Sequence, residues 1–259
     1  MERIPKKIHY FWFGGKELPP LAKSCIESWI RFLPDYEIVR WDETNYDVSQ
    51  NEFTRIAYAE KKWAFLSDYA RLDILRKFGG IYLDVDVQVY RTFDGFLNSE
   101  MFLGFMFDCN LSTAVFGAEK ENRHIINLLE IYNGIEFPKT ANNDLFTFYF
   151  CGRFPEFLLC NHRQTVDGVE IFPKEWFEMP VMFRKAGGYS VHHFMGSWWR
   201  TENHTDRVKR LAKAGFGTAG YWLIRQISHY RAVKISFHRS RFLKDRQKLS
   251  ALKIRGNDA

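Results

Sequence analysis

The sequence predicts an α/β domain built on a largely parallel sheet, and three observations predict it. Short β-branched and aromatic runs alternate with longer amphipathic segments along roughly the first 200 residues. Glycine pairs punctuate the joins, as at Gly14-Gly15 and Gly79-Gly80. The composition, 46% hydrophobic and 26% charged over 259 residues, supplies one large core or two modest ones and excludes a disordered chain.

The opening KKIHYFWFGG reads as a strand that closes on a glycine turn. A helix from about Pro20 to Phe32 follows, since proline suits a first turn whose N–H groups have no partner within the helix. YEIVRW is a second strand, so the chain opens β-α-β. Helices are expected from about Glu52 to Tyr58 and from Lys62 to Phe78. Ala64, Leu72 and Leu75 give the second an apolar face, and Gly79-Gly80 stops it. Next, Ile81, Leu83, Val85, Val87 and Val89 alternate with Tyr82, Asp84, Asp86 and Gln88, the period of a strand. Further strands are read at MFLGFMF, STAVFGA, VEIFP and YSVHHF, with helices near Arg123 to Tyr132 and Asn142 to Phe150.

Charge divides the chain unevenly. Between residues 200 and 259, Lys and Arg outnumber Asp and Glu by 15 to 4, whereas the preceding residues carry a net negative charge. Residues 1–199 are therefore read as a catalytic domain and 200–259 as a basic, mostly helical extension. Within it, Leu223, Ile224, Ile227 and Tyr230 recur at near-helical spacing among Arg225, Arg231, Lys234, Arg239 and Arg241. A basic amphipathic helix suits an anionic membrane surface, and equally a helix packed on the domain. Nucleic acid is not expected as a partner, because no recognisable nucleic-acid motif accompanies the basic residues.

No secretory signal is visible at the start, and the longest apolar runs fall far short of the ~20 residues of a membrane-spanning helix. The expectation is a cytoplasmic protein, peripheral at the inner face of the cytoplasmic membrane. Cys25, Cys109, Cys151 and Cys160 show no zinc-like pairing and are read as reduced.

The chemistry centres on GGIYLDVDVQVY. Residues i and i+2 of a strand share a face, so Asp84 and Asp86 would lie about 7 Å apart on one side. Like charges so placed call for a cation nearby. In the preceding helix Asp68 and Arg71 are three residues apart, neighbours on one helical face.

Together, FLSDYARLDILRKFGGIYLDVD resembles the core of glycosyltransferase family 32, the DXD sugar transferases that include Golgi α-1,6-mannosyltransferases and bacterial capsule enzymes and are related to the glucosylating clostridial toxins. The resemblance extends to IPKKIHYFWFGG, YEIVRWDE and HHFMGSW. It implies a GT-A fold, a Rossmann-like mixed sheet flanked by helices, with a nucleotide-sugar donor, a divalent cation (Mn²⁺ or Mg²⁺) and retention of anomeric configuration. By the same resemblance Asp86 binds metal directly, while Asp84 contacts the ribose or sugar and reaches the metal through water. Asp68 and Arg71 hold the donor's hydroxyls and phosphate, Tyr82 packs the site, and Trp12 stacks on the nucleobase. For the remaining metal ligand the downstream HHFMGSW offers His192, His193 and Ser197, of which His193 is preferred and Ser197 comes second. His9 also occupies a family position, but a buried, hydrogen-bonded histidine is the expectation there. LSTAVFGAEKENRH and TANNDLFTFYF depart from the family pattern, which leaves the acceptor open, with Asn143 and Asp144 in reach of a sugar. The implied activity is hexose transfer from a nucleotide sugar, a UDP-sugar favoured and GDP-mannose the alternative, to a polysaccharide or lipid-linked glycan acceptor in capsule-type biosynthesis. A toxin-like protein glucosyltransferase and a non-enzymatic cation- or membrane-binding module are the competing readings.

Overall fold

The computed structural model of the protein describes residues 2–133, 142–179 and 188–195. The expected extension, 200–259, and Ser197 lie outside the described residues. Among the described residues no helix is long and apolar enough to cross a membrane.

The chain runs β1 (Lys7–Phe11), α1 (Pro20–Phe32), β2 (Glu37–Trp41), α2 (Glu52–Ala59), α3 (Trp63–Phe78), β3 (Gly80–Leu83), β4 (Val87–Val89), β5 (Met101–Phe107), β6 (Asn110–Ala118), α4 (Arg123–Asn133), α5 (Asn142–Arg153), β7 (Gln164–Val166), β8 (Val169–Phe172), α6 (Lys174–Phe177) and β9 (Ser190–His192). Seven strands form one sheet in the order β2-β1-β3-β6-β5-β8-β7, and β4 pairs with β9 in a second. The β-α-β opening is met: β1 lies between β2 and β3, parallel to both. The sheet as a whole is mixed rather than largely parallel, because β6 runs antiparallel to β3 and β5. The reversal is local chemistry. β5 and β6 are joined only by Asp108 and Cys109, and a two-residue link can make a hairpin but not a crossover. β7 and β8 form a second hairpin around Asp167 (φ 47°) and Gly168 (φ 80°), the conformation for which Asp-Gly is selected.

Side-chain alternation divides the core between the faces of the sheet. Tyr82, Met101, Leu103 and Phe116 join the α2, α3, α4 and α5 side with Phe53, Leu72, Leu75, Leu128 and Phe146. Ile81, Leu83, Phe102 and Val115 turn the other way, to Trp29 of α1 and to Phe93, Phe96 and Phe177. Each such fully buried side chain contributes about 1.5–3 kcal/mol relative to exposure. Trp29 adds direction to its burial, since its indole N–H donates to the Val87 carbonyl at 2.7 Å and thereby fastens α1 to β4.

The expected continuous strand over residues 81–89 is interrupted at the acids. β3 ends at Leu83, and Val87 N–H closes a turn onto the Asp84 carbonyl at 3.0 Å. Aspartate favours turns over strands, and here the turn transfers the chain from the main sheet to the β4–β9 pair. Just upstream, Gly79 (φ 65°) caps α3, where a Cβ would stand 2.8 Å from the Lys120 backbone nitrogen. The helix must stop there for β3 to enter the sheet beside β1.

Candidate functional site

Asp84 begins the turn after β3, and its backbone N–H takes the Ala114 carbonyl of β6 at 2.9 Å. Asp86 ends the same turn, with Oδ2 accepting the Met195 backbone N–H at 2.6 Å. Antiparallel pairing of β4 with β9 sets Val87 opposite His192, which brings the His192 ring to the acids. Its Nε2 lies 3.3 Å from Asp86 Oδ1 and 4.0 Å from Asp84 Oδ2. One ligand atom from each of Asp84, Asp86 and His192 falls within 4.8 Å of the other two. The acids do share a side, by virtue of a turn rather than a strand pleat.

Burial raises the Asp84 carboxyl above its usual range against the pull of Arg71. Burial acts on Asp86 in the same sense, but the His192 charge and hydrogen bond outweigh it and hold this carboxyl at about 2. The His192 imidazole is correspondingly raised, the charges of Asp86 and Glu178 overcoming its own desolvation. Two carboxylates and one imidazole converging in this way are a donor set that suits a divalent cation.

The sequence's choice among the two histidines was His193, and the structure places it elsewhere. Its ring Nε2 meets Gln88 Oε1 at 3.0 Å, while its backbone N–H donates to the Asp86 carbonyl at 2.9 Å.

Arg71 and Asp68 meet as expected on one face of α3, at 3.0 Å. Arg71 is buried and occupied by its own protein: Nε donates to the Ser67 carbonyl at 3.0 Å, one terminal nitrogen donates to the Thr113 carbonyl at 2.7 Å, and the same nitrogen lies 3.5 Å from Asp84 Oδ1. The guanidinium is therefore a brace under Asp84, and Tyr82 completes it, giving its hydroxyl proton to Asp84 Oδ1 at 2.5 Å. Burial pushes the Asp68 carboxyl up to about 7, in spite of Arg71.

Trp12 follows β1 at the same carboxyl edge of the sheet as the acids, where ligands of α/β sheets gather. It is half-buried, and its indole N–H donates to the Lys16 carbonyl at 2.6 Å. Asn143 lies nearer the brace than sequence spacing suggests, accepting a hydrogen bond from Thr113 Oγ1 at 2.5 Å, while Asp144 accepts one from Asn110 at 2.8 Å. His9 is buried and hydrogen-bonded, as expected: its Nε2 contacts the Gly79 carbonyl at 3.0 Å.

Sequence reasoning passed over Ser112, Thr113 and Glu178. Glu178 is fully buried, contacts His192 Nδ1 through Oε2 at 2.8 Å and accepts from the Ser112 hydroxyl through Oε1. Three consecutive residues of β6 thus meet the site: Ser112 through Glu178, Thr113 through Arg71, and Ala114 through Asp84. Nothing in a run of small residues within a strand signals this.

Residues 19–103 match the family described as "Glycosyltransferase sugar-binding region containing DXD motif". Inositol phosphoceramide mannosyltransferase 3 of Schizosaccharomyces pombe is 27% identical over 212 residues, 76% of this chain and 56% of the relative. Inositol phosphoceramide mannosyltransferase 1 of the same organism is 27% identical over 114 residues, 40% of this chain and 34% of that protein. The chain thus spans about half or less of the length of these curated relatives. Among solved structures, the PaToxG glycosyltransferase superposes with a TM-score of 0.48 at 22% identity, covering 60% of this chain and 70% of its own. The matched segment, residues 19–103, holds Asp68, Arg71, Asp84 and Asp86.

Proposed function

We propose that the protein is a metal-dependent glycosyltransferase of GT-A type that moves a hexose from a nucleotide sugar to a glycan or lipid-linked glycan acceptor. The observation that carries this reading is the convergence of Asp84, Asp86 and His192 at the carboxyl edge of β1 and β3, with both acids inside the region matched to the DXD sugar-binding family. Asp84, Asp86 and His192 would hold the cation, which when bound acts as a Lewis acid toward the departing diphosphate. Arg71 and Tyr82 hold Asp84 in place, Asp68 offers a partly buried carboxyl to the donor sugar, and Trp12 offers an indole face to the base.

A UDP-hexose remains the favoured donor from the sequence. GDP-mannose is the second reading, supported by the names of the two mannosyltransferase relatives. Retention of configuration, a capsule-type acceptor and docking of the basic residues 200–259 on the inner membrane face belong to the same proposal. Hydrolysis of a panel of UDP- and GDP-sugars by the full chain, with and without Mn²⁺, tests it. Cation-dependent release of one nucleoside diphosphate is the expected result, and no release from any donor would defeat the reading.

A further inference from the structure

Glu178 sits at the carboxyl end of α6, fully buried beneath the candidate cation site. A charged group so placed must have partners, since an unpaired buried carboxylate is heavily penalised. Both of its oxygens are committed. Oε2 is 2.8 Å from His192 Nδ1, and Oε1 accepts from the Ser112 hydroxyl. Ser112 is itself oriented, because its oxygen accepts the Ala114 backbone N–H at 3.1 Å and so turns its proton toward Glu178. A chain of directed hydrogen bonds therefore runs from the β6 backbone through Ser112 and Glu178 to the imidazole.

We infer that Glu178, seated by Ser112, is a positioning residue that fixes the His192 ring with Nε2 toward Asp84 and Asp86 for cation binding. This rests on the cation site proposed above. A ligating nitrogen must carry a lone pair, so the ring proton has to reside on the other nitrogen. Nδ1–H donating to Glu178 is that arrangement, and it also sets the ring plane. Two other hydrogen bonds hold α6 to β9 independently: the Ser190 hydroxyl donates to the Phe177 carbonyl at 2.8 Å, and His192 N–H to the Glu178 carbonyl at 3.3 Å. Removing the Glu178 charge therefore leaves the two elements joined.

The test is Mn²⁺ affinity of the full chain without donor, read from the free-ion electron paramagnetic resonance signal, with circular dichroism to follow folding. Glu178→Gln should weaken Mn²⁺ binding about 10- to 100-fold, as loss of an outer hydrogen-bond partner does elsewhere. Ser112→Ala should move it in the same direction by less. In a His192→Ala background Glu178→Gln should add nothing, since a residue acting through His192 has nothing left to act on. Wild-type affinity in a folded Glu178→Gln protein, or a loss that adds in full to that of His192→Ala, overturns the inference and leaves the cation site standing. If Glu178→Gln does not fold, Ser112→Ala decides, and unchanged affinity there overturns the relay. No Mn²⁺ binding by the wild-type chain is the separate outcome that overturns the proposed site, and this inference with it.

Discussion

The guanidinium of Arg71 lies 4.4 Å above the ring of Tyr82, whose hydroxyl reaches past it to Asp84. One side chain thus supplies an aromatic face to the cation and a proton to the acid. Tyr82→Phe separates these roles, keeping the ring and deleting the hydrogen bond. It should lower stability by about 1 kcal/mol and reduce donor turnover more than donor binding, because Asp84 loses a restraint. Chemical denaturation and steady-state kinetics on the same preparation check both. Arg71→Ala is a different lesion. It takes the guanidinium charge away from the partly buried Asp68 and Asp84 and leaves Asp84 only His192, 4.0 Å away, as a cationic partner among the described residues, so the fold should lose stability. A lowered melting temperature is expected alongside lost activity.

Asp86→Asn should keep the fold, since an amide oxygen can still accept the Met195 N–H now taken by Oδ2. It should nonetheless abolish Mn²⁺-stimulated turnover, because a neutral amide is a poor ligand for a hard cation. Full Mn²⁺-dependent activity in this variant would remove Asp86 from the cation site.

His9 predicts a pH dependence of stability. Trp41 Nε1–H donates to its Nδ1 at 3.1 Å, leaving Nε2–H to donate to the Gly79 carbonyl at 3.0 Å. Both positions suit the neutral ring, and a second proton on Nδ1 would confront the indole N–H. Burial lowers its pKa to about 4 from an ordinary 6.5. The unfolded chain therefore binds the proton first as pH falls, and stability is lost from about pH 6.5 down to about pH 4, by up to ~3 kcal/mol. Urea unfolding across that window should show this slope in the wild type and a shallower one in His9→Gln.

Trp12→Ala should weaken binding of the donor nucleotide by ~1–3 kcal/mol if its indole stacks on the base. Calorimetry with the nucleoside diphosphate reads this directly. Affinity equal to wild type would assign Trp12 to packing alone.

Charge reversal at Arg239, Arg241, Lys244 and Arg246 tests the membrane expectation for residues outside the described part of the chain. The variant should still hydrolyse a soluble donor but no longer sediment with phosphatidylglycerol vesicles, since each basic residue near an anionic surface contributes ~1 kcal/mol. Unchanged sedimentation at low salt would favour a soluble acceptor.

Local signals in the sequence were sufficient for most elements. Pro20 and Gly79 bound α1 and α3, and the SDYAR spacing alone placed Asp68 beside Arg71, because a helix brings residues three apart together whatever surrounds it. The acids were legible for the same reason, as neighbours in the chain. Three features were decided only in three dimensions. Whether Asp84 and Asp86 sit in a strand or a turn depended on β4 leaving the sheet for β9, a partner about 100 residues away. Whether the sheet was parallel depended on the two-residue β5–β6 link rather than on the apolar patterns of the strands. That the ring of His192 meets the acids while that of His193 meets Gln88 depended on the pairing of β9 with β4, in the register Val87↔His192, which no local pattern in the sequence sets. Ser112 and Glu178 share the site for a related reason: they lie 66 positions apart, and no local periodicity connects residues that only packing brings into contact.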